Sequence, residues 1–188
     1  DGEMTVLDGK VYQIKADGKV YRPSVNIKTP FATVCKFKPD VRFQIRSADF
    51  KTAEKIIDEK IPNQNVFAAV KITGTFKYMK TRSVPAQNKP YPPLVEVAKN
   101  QPVFEMNDIG GTIVGFRAPP FVKGVNVSGY HFHFLSKDLA RGGHVLDFQL
   151  DEGNCQIDKC NELLLILPED DVLKDFDLSK DKSKELQK

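Results

Sequence analysis

The sequence predicts an α+β fold, with many short strands in largely antiparallel or mixed sheets and two or three helices. Three observations carry that expectation. The pairs Asp8-Gly9 and Asp17-Gly18 interrupt short apolar runs, as hairpin turns do. Runs rich in β-branched and aromatic residues recur along most of the chain. Only the stretch after Ser47 shows a clear amphipathic helical spacing.

Taken in order, Met4, Val6 and Leu7, then Val11 to Ile14, then Val20-Tyr21 form a meander around the two Asp-Gly turns. Phe31 to Phe37 reads as a strand that stops at Pro39. Ser47 is positioned to cap a helix running to about Lys60, with Asp49 in its first turn. Its apolar face is Phe50, Ala53, Ile56 and Ile57, and Pro62 closes it. Val66 to Phe76 is strand-like with a break at Gly74, and Tyr78 to Val84 continues it. Lys89-Pro90-Tyr91-Pro92-Pro93 predicts a rigid extended loop, because proline fixes φ and restricts its predecessor. A short helix over 94–99 follows, then strands at Val103 to Met106 and Gly111 to Phe116, and a break at Pro119-Pro120. Leu163 to Leu167 reads as a buried strand, and the charged tail from Asp170 to Lys188 as a surface helix or a partly disordered segment.

Length and composition narrow the function classes. A chain of 188 residues suits one domain, or two small packed lobes, with a sizeable core. The net charge of +3, with bases interleaved among acids, gives no footprint for nucleic acid. The longest apolar run is strand-sized, so no membrane partner is expected. Three widely spaced cysteines argue against a disulfide framework and point to a reducing, cytoplasmic setting. The start Asp1-Gly2-Glu3-Met4 carries no signal peptide; because it lacks an initiator Met, an exported, trimmed precursor stays open.

The chemistry concentrates in one place. All 3 histidines lie between positions 131 and 144. In Tyr130-His131-Phe132-His133-Phe134 a strand sends both imidazoles to one face and both phenyl rings to the other. Gly142-Gly143 then precedes His144 and a second apolar alternation, Val145, Leu146, Phe148 and Leu150. If the two segments pair as a hairpin, His131, His133 and His144 converge as the three nitrogen ligands of a catalytic zinc with an open fourth position. A lone strand histidine is ordinarily a hydrogen-bonded structural residue, and it is the clustering that favours metal. A zinc finger does not fit, since Cys155 and Cys160 are separated by four residues and Cys35 is remote.

Around such a metal, Arg82 and Arg117 sit at strand ends where either could clamp a carboxylate, the plainer alternative being a solvated cation. Glu3 is an isolated acid near the start, ordinarily a surface residue, and Arg141 beside the Gly-Gly pair is close in sequence but free to point away. No phosphate-binding Gly-rich loop and no Gly-x-Ser-x-Gly elbow occurs, and with every histidine committed to metal a serine triad lacks its base. Pattern alone leaves open a Lewis-acid enzyme, a zinc-hydroxide enzyme of the carbonic-anhydrase kind, and a non-catalytic zinc-binding module.

The runs Val127 to Phe134 and Gly142 to Asp147 resemble those of the acetolactate decarboxylases. Further matching stretches are Asp1-Gly2-Glu3, Tyr12-Gln13, Thr29-Pro30-Phe31, Thr81-Arg82, Lys89-Pro90-Tyr91, Gln101-Pro102 and Gly111 to Phe116. The resemblance covers nearly the whole chain. It implies two closely packed sheet-containing lobes, here about 1–105 and 106–188, with the zinc site on a hairpin of the second, and a homodimer. It implies zinc held by His131, His133 and His144, with Arg82 and Glu3 as active-site residues and Arg117 structural. The implied reaction takes (S)-2-acetolactate, a small-molecule substrate, to (R)-acetoin and carbon dioxide in acetoin and butanediol biosynthesis, the metal stabilising the developing enediolate. Two departures stand out: the family has residues ahead of Asp-Gly-Glu, and it places a second active-site glutamate near its carboxyl end, for which Glu185 lies too early.

Overall fold

The computed structural model describes residues 1–29, 31–88, 92, 97 and 101–167. The expected proline-rich loop, the helix over 94–99 and the charged tail fall essentially outside the described residues. The meander is present: β1 (Glu3–Leu7), β2 (Lys10–Ile14) and β3 (Val20–Tyr21) form an antiparallel three-stranded sheet in that order. Each Asp-Gly turn carries its glycine at positive φ, at Gly9 and Gly18.

A five-stranded antiparallel sheet makes up most of the rest. Its strands are β4 (Val41–Asp49), β5 (Phe67–Arg82), β6 (Val103–Ala118), β7 (Gly129–Ser136) and β8 (Gly142–Cys160), in the order β4-β8-β5-β6-β7. β7 also pairs with the start of β8, so this end of the sheet curls over. One helix, α1 (Phe50–Lys60), covers the face bearing Phe76, Phe132, Phe134 and Phe148. There Phe76 meets Phe134 edge-on with ring centroids 5.4 Å apart, and Phe50 from α1 packs on Phe148 at 5.3 Å. The predicted boundary at 105/106 falls inside β6. Among the described residues, no helix is long and apolar enough to cross a membrane.

Several local expectations are corrected. Ser47 does not cap the helix; it interrupts β4 with a φ of 50°, and Asp49 caps instead, accepting from the Thr52 N–H at 2.8 Å. The strand β4 itself was concealed by Arg42, Gln44 and Arg46, which alternate with its apolar residues but sit too close to the helix signal. Gly74 does not break β5. It lies between Gly111 and Gly153 of the flanking strands, and a Cβ there would strike the Glu152 carbonyl, so glycine serves close strand approach. Likewise 103–106 and 111–116 are parts of one strand, β6.

Phe31 to Phe37 is not a strand: among the described residues none pairs with it in a ladder, and strand propensity alone does not make one. Leu163 to Leu167 is neither strand nor buried. It follows the last residue of β8, where the sheet ends, and its side chains are 52–83% exposed.

Candidate metal centre

The two faces of the five-stranded sheet divide the chemistry. On β7, Phe132 and Phe134 enter the aromatic core, so His131 and His133 face the other way, toward the three-stranded sheet. β8 returns antiparallel with His144 directly opposite His133. The three rings stand 4.9–5.5 Å apart between centroids, and His131 Nε2 lies 3.2 Å from His133 Nε2. Tetrahedral zinc with bonds of about 2.0–2.1 Å to nitrogen separates two such ligands by about 3.3 Å, so the donor spacing fits.

Gly143 makes the return possible. Its φ of 140° favours glycine, and a Cβ there would strike the Arg82 carbonyl. Arg82, the last residue of β5, is the cross-strand partner of His144 and therefore stands on the same side of the sheet.

β1 supplies the third wall. The Gly2 N–H donates to the Val84 carbonyl at 2.7 Å, and the Ser83 hydroxyl donates to the Ile14 carbonyl at 2.6 Å. These bonds tie the three-stranded sheet to the chain just beyond Arg82. Glu3 is thereby carried from the start of the sequence to within 3.5 Å of His133 Nε2. His133 Nδ1 donates to the Met4 carbonyl at 3.1 Å, with Thr5 Oγ1 at the same distance. A carbonyl only accepts, so the proton of the neutral ring sits on Nδ1 and the Nε2 lone pair faces the other histidines.

The electrostatics suit a cation. Burial lowers the pKa of His131 and of His133 to about 4, with the His133 charge adding to the effect on His131. His144 is pushed well below the ordinary value by burial and by its two neighbours. Three neutral imidazoles with converging lone pairs form the arrangement that a metal ion requires. Burial also raises Glu3 above the ordinary carboxylate value, opposed by His131 and Arg82, while burial lowers Arg82 against the pull of Glu3.

A cavity of about 780 Å³ opens onto the cluster, with Glu3, Thr5, Phe31, Val114, His131 and His133 among its walls. His144 and Arg82 do not line it. Of the other sequence candidates, Arg117 is neither a clamp nor a solvated cation. It is 2% exposed, paired with Asp58 at 2.9 Å and donating to the Ile61 and Asn63 carbonyls at 2.8 Å. Arg141 is exposed, and the chain there bridges to Lys19 rather than turning toward the histidines. The sequence reading missed Thr5 and the Met4 carbonyl. Period two along β1, which sets Thr5 on the face of Glu3, was the available signal. It also missed the non-strand segment 31–37 as a cavity wall.

The sequence model of the alpha-acetolactate decarboxylase family matches residues 1–180. Relatives named alpha-acetolactate decarboxylase include one from Methanosarcina mazei, 44% identical over 189 aligned residues, covering 100% of this chain and 66% of the relative. One from Methylococcus capsulatus is 45% identical, covering 96% and 70%. The crystal structure of alpha-acetolactate decarboxylase from Bacillus subtilis superposes with a TM-score of 0.95 at 35% identity, covering 100% of this chain and 81% of that one. The chain thus spans about two-thirds of the length of the curated relatives it matches. With a match running through both sheets and the histidine hairpin, the chain belongs to the alpha-acetolactate decarboxylase family.

Proposed function

We propose that this chain decarboxylates (S)-2-acetolactate to (R)-acetoin and carbon dioxide with a zinc ion held by His131, His133 and His144. The observation that carries the reading is the convergence of these imidazoles with Glu3 and Arg82 beside them, in a chain of this family. When bound, zinc supplies Lewis acidity for the ketone and hydroxyl oxygens of the substrate.

The remaining work falls to the protein's own side chains. Arg82, beside His144 and outside the cavity walls, orients the substrate carboxylate by its positive charge. Acetolactate is a β-keto acid, so as the bond to the carboxylate breaks its electron pair moves toward the neighbouring ketone and carbon dioxide leaves. The former carboxyl-bearing carbon then takes up one proton. Glu3, whose raised pKa keeps the carboxyl protonated to higher pH, donates that proton from one face and so fixes the configuration of the acetoin. The Met4 carbonyl and Thr5 hold His133 in the tautomer that leaves Nε2 free to ligate.

The test is acetoin formation from racemic acetolactate, before and after chelation and zinc re-addition. Chelator-sensitive (R)-acetoin restored by zinc supports the reading. A zinc-loaded chain that makes no acetoin but hydrates carbon dioxide would replace it with a zinc-hydroxide enzyme. Turnover unaffected by complete metal removal would refute the three-histidine centre.

A further inference from the structure

A second group of ligating side chains lies at the rim of the cavity, outside the histidine cluster. Cys35, Asp158 and Cys160 bring two sulfur atoms and a carboxylate oxygen within 4.8 Å of one another. Asp158 and Cys160 are two residues apart on β8 and so share a face, whereas Cys155 enters the core on the opposite face. Cys35 comes from the 31–37 segment. That segment continues into a run laid along the end of β8: the Lys38 N–H donates to Asp158 Oδ2 at 2.6 Å, and the Lys159 N–H donates to Asp40 Oδ2 at 2.9 Å. Cys160 is backed by the apolar cluster of Phe67, Ala118 and Val122, which limits its freedom to move away.

We propose that Cys35, Asp158 and Cys160 form a second metal site, taking a thiophilic divalent cation of the zinc class, with water as fourth ligand. Thiolate sulfur and carboxylate oxygen are both zinc donors, and tetrahedral zinc wants sulfurs about 3.8 Å apart, so closure of the sulfur pair by about 1 Å at most suffices. A divalent cation deprotonates the thiols it binds, releasing their protons to solvent.

The structural consequence concerns the cavity. Residues 31–37, which have no strand partner, form part of its wall and include Cys35 itself. A cation at this rim would fasten that wall to β8 without touching the histidines.

Cobalt(II) loading of the full chain under reducing conditions tests this, because histidine ligands give no sulfur-to-metal charge transfer. The expected result is a near-ultraviolet sulfur-to-cobalt band developing with a second equivalent of metal, and slower hydrogen exchange over 31–40. The double variant Cys35→Ser, Cys160→Ser should lose the band and the second equivalent while keeping the visible cobalt bands of the histidine centre. Asp158→Asn, which keeps both thiols, should weaken the second equivalent by at least about tenfold. No charge-transfer band at saturating cobalt would overturn the site, as would a thiol titration of untreated protein showing that Cys35 and Cys160 are already bonded to each other. A second equivalent that binds without slowing exchange over 31–40 would overturn its fastening of the wall. None of these readouts depends on acetolactate turnover.

Discussion

At the scale of single residues, Glu3 and Thr5 reach the two ring nitrogens of His133 from one short strand. Replacing Glu3 with Gln keeps size and hydrogen bonding but removes the dissociable proton. The expected result is a loss in kcat of about 10²- to 10⁴-fold with zinc content unchanged, read by steady-state kinetics alongside metal analysis. Full turnover with unchanged stereochemistry would exclude Glu3 as donor. Thr5 is a positioning residue, reaching His133 Nδ1 at 3.1 Å. Thr5→Val should weaken zinc affinity by about 10- to 100-fold in a chelator competition, with activity restored at excess zinc. A variant whose affinity is intact but whose kcat falls would show that Thr5 acts on substrate instead.

At the scale of elements, the sheet that carries the histidine cluster depends on how α1 is held to β6 and β7. Arg117 joins them: its guanidinium pairs with Asp58 of α1 and takes up the Ile61 and Asn63 carbonyls at the end of the helix. Tyr130, next to His131, donates to the same Asp58 carboxylate at 2.8 Å. Replacing Arg117 with Leu leaves two carbonyls without their donor and a partly exposed carboxylate without its cation. The loss should be about 2–4 kcal/mol in denaturant melts, with the number of bound zinc ions unchanged. A loss within experimental error would mean that water replaces the guanidinium at no net expense.

At the scale of the whole molecule, the histidine cluster couples metal, pH and folding. Its imidazoles are held near pKa 4 at His131 and His133, below the ordinary value of 6.5. The metal-free folded chain therefore binds fewer protons than the unfolded chain between about pH 4 and 6.5. Stability of the metal-free protein should fall as pH decreases through that window and be insensitive to these groups above it. Zinc, binding the folded state with neutral imidazoles, should raise Tm at pH 7, by an amount that shrinks as the pH is lowered. Thermal melts of chelated and zinc-loaded protein across pH 4–8 check both slopes, and parallel curves would mean that the histidines do not ligate together.

Much of this was legible in the chain itself. The Asp-Gly turns specify the first sheet, and the His-x-His spacing with a Gly-Gly return specifies the hairpin and the side of it on which the imidazoles gather, because both depend on residues close in sequence. Long-range pairing was not legible in the same way. Strand propensity marks Phe31 to Phe37 and Leu163 to Leu167 as readily as it marks β5, yet a strand forms only where a sheet edge accepts its ladder. Ser47 and Asp49 are both good caps, and the register of β4 against β8 decides between them. By itself the sequence determined the three-histidine cluster, the turns and the family likeness. The tertiary structure alone brought Glu3 to His133, set Arg82 opposite His144, buried Arg117 against Asp58 and laid Cys35 beside Cys160, since each of these contacts joins residues whose separation only the closed sheets could span.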